Sequence, residues 1–454
     1  MKKWLIIGGI FIIAFIIILA ASPLLKPSKT LAPNDSEKLI ITNNSSSQIL
    51  QTSEISAVAN DTSFSELTRT DNVSSSELSS FDTFMDDLMK KWQIPGGSLA
   101  IAKDGKLIFA KGYGLASIAK NELVEPESLF RIASITKTIT ATAILKLSEE
   151  GKLDLDSKFL EVLDYKFNDG ESLSDPKISE ITIRQLLQHS GGWDRDNNFD
   201  PMFQSKMISE EMGLSGPADC EEIMRHMFTR EKLDFEPGTK YVYSNFGYCI
   251  LGRVIEKVSG ESYEEYVRKN ILQPMGISRM QLGHTLKSLP DEVEYYDYPG
   301  AVQVKSIFND HLVSGPYGGF YLEAMDAHGG WVASTIDILR FVTAIDGSRQ
   351  HFLGSRAMAN MLSRPVYDEN KQFYYGAGWD IRPIKNDANW WHAGSLPGTQ
   401  TLVVRTYNSF VWVALFNSRP LEFNNFASEL DDGLWEAYGK VRSFPEDDLF
   451  NNYS

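Results

Sequence analysis

The fold is decided between Phe130 and Gly151, where the chain reads F-R-I-A-S-I-T-K-T-I-T-A-T-A-I-L-K-L-S-E-E-G. Apolar residues recur there every three or four positions, and Gly151 occupies the position of a helix stop. The pattern predicts one long helix with a single buried stripe. The stripe consists of Ile132, Ile135, Ile139, Ala143, Ile144 and Leu147.

Two side chains near the start of this helix can carry chemistry. Ser134 and Lys137 are three residues apart, which places both on one helix face, about a turn from each other. A serine hydroxyl there can lose its proton to a lysine that burial or a second positive group keeps neutral. The helix N-terminus also offers backbone N–H groups to a developing oxyanion. The four-residue segment Ser134-Ile-Thr-Lys137, called the Ser134 tetrad below, therefore predicts a nucleophilic serine with its base.

The same spacing also occurs outside this helix, for example at Ser117-Ile-Ala-Lys120. This second tetrad follows a strand-like run and opens no helical pattern, so we interpret it as a chance match. Ser-x-x-Lys alone is thus a weak signal. The case for Ser134 depends on residues further along the chain.

Composition and charge exclude several function classes. The chain has 454 residues and a formal net charge of −16, with its acidic residues spread out, so neither nucleic acid nor an anionic membrane surface is expected as a partner. No cluster of cysteine and histidine has metal-ligand spacing, and we expect no metal and no other cofactor. The two cysteines, Cys220 and Cys249, are compatible with one disulfide or with two buried thiols.

The first 80 residues differ from the rest. Two lysines precede an uncharged apolar run from Trp4 to Ala21, which predicts a membrane anchor over residues 1–22 with the remainder exported. A cleaved signal sequence, which would leave a secreted protein, is the alternative. Residues 23–80 are rich in Ser, Thr and Asn and predict a disordered tether. A folded domain is expected over 81–442, followed by a C-terminal tail at 443–454.

The order of predicted elements indicates the fold class. Asp104-Gly105 between two strand-like runs predicts a β-hairpin ahead of the Ser134 helix. The chain between Leu153 and Met280 is mostly helical in pattern, and strand patterns return near its end. This order predicts an α+β fold in which helices flank an antiparallel sheet built from both chain ends, with an inserted, mainly helical subdomain. The late strands are predicted at Tyr375–Ile381, Thr399–Arg405 and Phe410–Phe416.

Three motifs follow one another along the chain: Ser134-Ile-Thr-Lys137, Tyr243-Ser-Asn245 and His392-Ala-Gly394. Together they resemble the motifs of the serine β-lactamase-like hydrolases, which include class C β-lactamases, D-alanyl-D-alanine carboxypeptidases, D-aminopeptidases and related esterases. The resemblance covers about Phe81 to Tyr438 and implies a β-lactamase/transpeptidase-like fold. The Tyr-x-Asn form of the second motif is typical of the class C branch.

The resemblance implies a role for each motif residue. Ser134 would attack the scissile carbonyl and form an acyl-enzyme, while Lys137 and Tyr243 would share the work of the base. Which of the two takes the proton stays open. The backbone N–H groups of Ser134 and Ser395 would form the oxyanion hole. The remaining substrate-binding residues would be Asn245, His392 and Gly394.

Two features of the sequence leave alternatives. His189 and His328 also begin H-x-G triplets, but we assign the third motif to His392, which directly precedes a strand pair, and expect the other two histidines to pack structurally. A group of loop tyrosines would either line a substrate cleft or pack together. These tyrosines are Tyr295, Tyr296, Tyr298 and Tyr317.

His392 stands where class C β-lactamases have a lysine. Because histidine is largely neutral above its ordinary pKa of ~6.5, efficient β-lactam hydrolysis is not expected. The sequence instead predicts an exported serine hydrolase whose partner is a small substrate, either a peptide amide, with D-amino-acid-containing peptides first, or an ester. The alternatives are a penicillin-binding sensor without turnover and a weak class C-like β-lactamase.

Overall fold

The computed structural model describes residues 76–368 and 371–453. The predicted anchor and nearly all of the predicted tether therefore lie outside the described residues. Within that part of the chain, none of the helices combines the length and the apolar character that a bilayer crossing requires. Packing starts slightly before the predicted boundary, since Leu78 is buried with 1% of its surface exposed.

Helices form the larger share of the regular structure. Their boundaries follow ordinary capping rules; at α7, for example, Ser244 caps the first turn and Gly260 ends the helix with a φ of 74°. In chain order the helices are α1 (Ser79–Trp92), α2 (Thr136–Glu149), α3 (Phe159–Leu163), α4 (Ile183–Leu187), α5 (Ser205–Met212), α6 (Cys220–Arg230), α7 (Asn245–Ser259), α8 (Tyr263–Val267), α9 (Thr335–Ile345), α10 (Ser355–Met361) and α11 (Phe423–Lys440).

The strands fall into one large sheet and smaller pieces beside it. In chain order they are β1 (Gly96–Lys103), β2 (Lys106–Ser117), β3 (Glu122–Leu123), β4 (Phe130–Arg131), β5 (Gln281–Leu282), β6 (Val304–Lys305), β7 (Leu312–Val313), β8 (Trp331–Ala333), β9 (Tyr374–Tyr375), β10 (Asp380–Ile384), β11 (Asp387–Leu396), β12 (Thr399–Arg405) and β13 (Phe410–Phe416).

The large sheet has eight strands in the order β3-β2-β1-β13-β12-β11-β10-β9. Its two halves meet where β1 pairs antiparallel with β13, with Gly97 opposite Phe416. The predicted hairpin is present, and Asp104 and Gly105 both have positive φ, 49° and 77°, as its tight turn requires. The predicted α+β fold, with an antiparallel sheet built from both chain ends, is confirmed.

Helices cover both faces of this sheet. The terminal helices α1 and α11 pack on one face, where Phe81, Leu88, Leu430 and Leu434 are buried in a single apolar cluster. On the other face lie α2 and α9, and the helical subdomain from α3 to α8 continues the same core. Helix α2, which directly follows the Ser134 turn, therefore lies between the sheet and the helical subdomain.

The structure differs from the predicted helix in two respects. Phe130 and Arg131 form strand β4, which pairs with β8, and a 3₁₀ turn at Ala133–Ile135 separates it from α2. In addition, α2 is buried almost all round rather than along one stripe, since every residue from Thr136 to Leu145 is buried. The buried threonines of this helix are polar, so a pattern of apolar residues does not reveal that their positions are buried.

The segment predicted as a tail packs on the domain. Phe450 is buried, with 1% exposed. Arg340 on α9 donates hydrogen bonds to the backbone oxygens of Phe450 at 3.1 Å and Tyr453 at 2.8 Å. The packed chain thus extends past residue 442. The cysteine question is also resolved, because Cys220 and Cys249 form a disulfide that joins α6 to α7.

Candidate active site

Ser134 lies in the 3₁₀ turn that connects β4 to α2. Ala133, just before it, has a φ of 49°, in the left-handed region that residues with a Cβ rarely adopt. Ser134 itself is 8% exposed and lines an open cleft of about 390 Å³. A strained backbone immediately before a cleft-facing hydroxyl is a common arrangement at functional sites.

Lys137 is the buried partner of Ser134. It is 0% exposed, and its Nζ lies 3.2 Å from Ser134 Oγ. The same Nζ donates to Asn245 Oδ1 at 2.7 Å and to the backbone oxygen of His328 at 2.8 Å. The structure therefore places the amine within hydrogen-bond distance of the hydroxyl, as the three-residue spacing predicts.

Asn245 is the first residue of α7. Its helical position follows from Ser244, whose Oγ caps the helix by accepting from the N–H of Gly247 at 3.0 Å. Asn245 Nδ2 donates to Asp200 Oδ2 at 2.6 Å, so its Oδ1 faces Lys137. Asp200 thereby fixes the orientation of the amide that holds the lysine.

Tyr243 is the second predicted base, and the structure brings it to the same place. Its ring centre is 4.8 Å from Lys137 Nζ and 4.8 Å from the guanidinium carbon of Arg195. On another side the His189 ring packs against it with centroids 4.3 Å apart. The phenol is 4% exposed, so Tyr243 lies in a largely dry site between two cations.

Strand β11 carries the third motif along the Ser134 turn. A Cβ on Gly394 would lie 2.6 Å from the oxygen of Ile132 and 3.0 Å from the backbone N of Ser134, so this close approach requires glycine. Ser395, one residue further on, lines the cleft together with Ser134. The backbone segments predicted to form an oxyanion hole are thus neighbours.

His392 is buried, with 3% exposed, and both of its ring nitrogens are engaged within the protein. Nδ1 lies 2.7 Å from the backbone oxygen of Ala393, to which it donates, and Nε2 accepts from the hydroxyl of Tyr375 at 3.0 Å. Burial, and then the charge of Lys137, lower the pKa of His392 to about 3. The ring is therefore neutral at neutral pH.

His189 and His328, which were expected only to pack structurally, contact residues of the Ser134 site. His189 Nδ1 accepts from the N–H of Ser244 at 3.1 Å, and its ring supports Tyr243. His328 contributes its backbone oxygen to Lys137. Burial, followed by the charge of Lys137, lowers the pKa of both imidazoles well below the ordinary value.

The cleft wall comes largely from loops that the motifs do not include. Two cations, Arg195 and Arg419, line it, and Arg419 Nη1 lies 3.5 Å from Ser395 Oγ. A buried salt bridge or a cleft arginine leaves no periodic signal in a sequence, so Arg195, Asp200 and Arg419 were not predicted. The aromatic part of the wall consists of Phe199, Phe203, Phe320 and Phe423.

The cleft role considered for the loop tyrosines is wrong. Tyr295 is 2% exposed, accepts from the N–H of Arg131 at 2.7 Å and lies under the guanidinium of that arginine. Tyr317 packs on the same arginine, and Tyr296 binds the N–H of Ile118. These rings satisfy a buried arginine and nearby backbone away from Ser134.

Comparison with known proteins agrees with this geometry. The Beta-lactamase family model matches residues 81–432. The chain belongs to the beta-lactamase family. Among similar family members, penicillin-binding protein 4* of Bacillus subtilis (strain 168) is 27% identical over 330 residues, which are 71% of this chain and 68% of that protein.

Other relatives match a smaller share. The probable fimbrial assembly protein FimD of Dichelobacter nodosus (serogroup H1) is 32% identical over 219 residues, 48% of this chain and 49% of that protein. The protein flp of Staphylococcus aureus (strain NCTC 8325 / PS 47) is 30% identical over 50% of this chain and 42% of its own length. The chain thus spans about half the length, or less, of these two curated relatives.

Solved structures show the same fold. The octameric penicillin-binding protein homologue from Pyrococcus abyssi superposes with a TM-score of 0.62 at 26% identity, covering 80% of this chain and 79% of that one. The D-amino acid amidase from Ochrobactrum anthropi SV3 gives a TM-score of 0.63 at 22% identity, over 81% of this chain and 100% of the amidase. At that identity the amidase is a guide to the fold alone.

Proposed function

We propose that this beta-lactamase-family chain is a serine hydrolase that works through an acyl-enzyme on Ser134. The observation that carries the proposal is the 3.2 Å approach of the fully buried Lys137 Nζ to Ser134 Oγ. Asn245 and the Tyr243 ring contact the same amine, so the first two motifs converge beside one hydroxyl.

The reaction runs in two halves. Ser134 Oγ attacks the scissile carbonyl carbon while its proton passes to the Lys137–Tyr243 pair. The resulting oxyanion accepts hydrogen bonds from the backbone N–H groups of Ser134 and Ser395, worth about 3 kcal/mol for each donor in comparable hydrolases. The bond to the leaving amine or alcohol then breaks, the proton moves to the leaving group, and the acyl group stays on Ser134 Oγ.

Water completes the cycle. A water molecule attacks the acyl carbon and gives a proton to the same pair, with Tyr243 as the proposed helper. Ser134 Oγ then leaves as the second tetrahedral intermediate collapses, takes a proton back, and the acid is released. Every proton that enters the Lys137–Tyr243 pair leaves it within one turnover.

The lining of the cleft favours one substrate class. Its phenylalanine wall suits an apolar side chain, and the Arg419 guanidinium beside Ser395 suits a carboxylate. This lining suits a short peptide with an apolar side chain and a carboxylate. That the peptide contains a D-amino acid rests on the family resemblance alone, and esters stand second. The neutral His392 lacks the fixed charge that a β-lactam carboxylate would meet at the third motif, so fast β-lactam turnover is not proposed.

Intact-mass analysis tests the proposal. The purified full-length chain is exposed to a fluorophosphonate and, separately, to a penicillin. One adduct is expected from each reagent, absent in Ser134→Ala and retained in the matched control Ser117→Ala. Absence of any adduct overturns the proposal. Labelling without turnover of any D-amino-acid peptide or ester in a panel supports the penicillin-binding sensor instead.

We also propose that the hydrolase domain is exported and held by the N-terminal segment. The apolar run from Trp4 to Ala21 lies outside the described residues, and the Cys220–Cys249 disulfide fits an oxidising compartment. Protease added to intact cells is expected to degrade the domain, whereas a protein that is protected until the cells are lysed would contradict export.

A further inference from the structure

A phenol needs positive charge nearby if it is to act as a base near neutral pH, since its ordinary pKa is ~10. In the class C pattern a lysine of the third motif can supply such a charge. Here that position is His392, whose pKa of about 3 leaves it neutral, and its ring centre is 6.3 Å from that of Tyr243. Of the three motifs, Lys137 is then the residue that brings a cation to Tyr243.

A second cation reaches Tyr243 from outside the motifs. Arg195 follows α4 in the chain, and its guanidinium carbon lies 4.8 Å from the centre of the Tyr243 ring. Its side chain is 11% exposed and lines the same cleft as Ser134. A guanidinium keeps its charge throughout the pH range in which enzymes work. Arg195 therefore presents a permanent positive charge to the phenol.

The side chain of Arg195 is held by Asp200, and its loop is held by Asp194. Its Nη1 donates to Asp200 Oδ2 at 3.1 Å, and the same carboxylate oxygen accepts from Asn245 Nδ2 at 2.6 Å. The loop itself is held by Asp194, whose side chain accepts from Asn197 at 3.0 Å. One carboxylate thus positions both the arginine beside Tyr243 and the amide that binds Lys137.

We propose that Arg195 supplies the second positive charge at Tyr243, which in class C β-lactamases comes from the lysine of the third motif. Asp200 limits how strongly this charge acts on the phenol. The inference rests on the proposed function, because it acts through the base that serves Ser134. Arg195 is a positioning residue in this scheme: it favours the phenolate of Tyr243 and does not itself exchange a proton. Asp200 opposes the effect by partly neutralising the guanidinium.

The other groups that face Tyr243 do not supply this charge. Burial lowers the pKa of His189 well below its ordinary value, so that imidazole is neutral. Tyr241 and Tyr375 are neutral as well, since burial raises the pKa of both well above the ordinary value. Asp196, 3.8 Å from Arg195, is an exposed anion on the solvent side.

The pH dependence of acylation tests the inference. The rate constant for fluorophosphonate labelling of Ser134 is measured on the full-length chain from about pH 5 to about pH 10. Arg195→Gln is expected to move the acidic limb of this profile to higher pH by about one unit or more, because a nearby positive charge is lost. Arg195→Lys retains a positive charge, so its acidic limb should stay close to the wild-type position. Asp200→Asn should move the limb to lower pH, the opposite sign, even if the plateau rate falls.

Two controls separate this effect from a general loss of structure. In a Tyr243→Phe background, Arg195→Gln should cause no further shift, because its effect passes through the phenol. Arg184→Gln removes an arginine from another ion pair, with Asp156, and should leave the limb in place. A uniform rate loss with an unshifted limb in Arg195→Gln overturns the inference alone. A wild-type chain that is not labelled at Ser134 overturns the proposed function and this inference with it.

Discussion

The Ser-x-x-Lys spacing occurs at Ser117 as well as at Ser134, and these two copies have opposite environments. At Ser117 the strand β2 ends in a turn, and Ser117 Oγ accepts from the backbone N–H of Lys120 at 3.1 Å. The Lys120 side chain is 69% exposed and pairs loosely with Glu122 at 3.9 Å. At Ser134 the lysine is instead fully buried.

The difference teaches what the spacing contributes. In a helix, three residues bring the lysine under the serine, whereas in a turn the same three residues leave the lysine in solvent. Around Ser134 two further elements complete the pair: α7 supplies Asn245 to Lys137, and β11 lies against the turn at Gly394. The spacing thus permits the two side chains to meet, and the surrounding elements bury them together.

The largest effect is expected from the serines themselves. Ser134→Ala removes the nucleophile, so kcat/KM for any substrate found should fall by about 10⁵-fold, to the limit of detection. Ser117→Ala should leave kcat/KM within about a factor of two, because its hydroxyl only supports a turn. Steady-state kinetics of both variants measure the contrast. A comparable loss in both would remove the distinction between the tetrads.

The lysines should differ by a smaller factor. Lys137→Met removes the amine next to Ser134 Oγ and so one member of the proposed Lys137–Tyr243 pair. It is expected to slow acylation by about 10³-fold, within the range that general acid–base catalysis contributes. Lys120→Met, at the exposed tetrad, should leave the rate unchanged. Stopped-flow labelling with a chromogenic ester reports both. Full acylation in Lys137→Met would assign the base to Tyr243 alone.

The strand that borders Ser134 offers a third contrast. Gly394→Ala places a methyl group 3.0 Å from the backbone N of Ser134, so β11 and the turn must separate. We expect kcat to fall by about 10²-fold from this displacement, with about 1–3 kcal/mol of lost stability. Gly439→Ala on α11 meets open space and is the matched control, expected to be neutral or slightly stabilising. Activity and urea unfolding of both variants test the prediction.

The effect that is smallest near neutral pH is a pH dependence of stability, which the buried imidazoles give to the domain and which grows as the pH falls. The folded pKa of His392, about 3, lies below the ordinary value of ~6.5, so the unfolded chain binds the proton first. Its contribution is present above pH ~6.5 and is lost as the pH falls towards 3, at about 1.4 kcal/mol per pH unit. His392→Gln should flatten the unfolding free energy in this window relative to Ser117→Ala. Equal slopes in both variants would contradict a neutral His392.

Much of the fold follows from local signals that the sequence displays openly. The strands Thr399–Arg405 and Phe410–Phe416 and the hairpin turn at Asp104-Gly105 occur where they are predicted, because β-branched and aromatic runs and an Asp-Gly pair act over a few residues. Ser134, Lys137, Tyr243 and Asn245, which the motifs single out, lie next to one another in the structure. Their signal is chemical type in a fixed order, which the resemblance supplied.

The parts that the sequence did not reveal depend on distant partners. Strand β4 forms because β8, some two hundred residues later, offers an edge to Phe130 and Arg131. Asp200 and Arg195 belong to a loop whose position is set by tertiary hydrogen bonds. The burial of α2 on nearly all sides is similarly invisible, since its threonines look solvent-facing until the neighbouring helices and sheet are in place.

The pairing of β1 with β13 has a consequence for folding during synthesis of the chain. Because Gly97 finds Phe416 as its partner, the central sheet closes only after almost the whole domain has left the ribosome. A nascent chain that has passed Ser134 and Lys137 but not β11 holds the Ser134 tetrad without the strand that borders it. The proposed nucleophile thus lacks its neighbouring strand during synthesis, and the slowest folding step is expected to be the docking of the last strands onto the first.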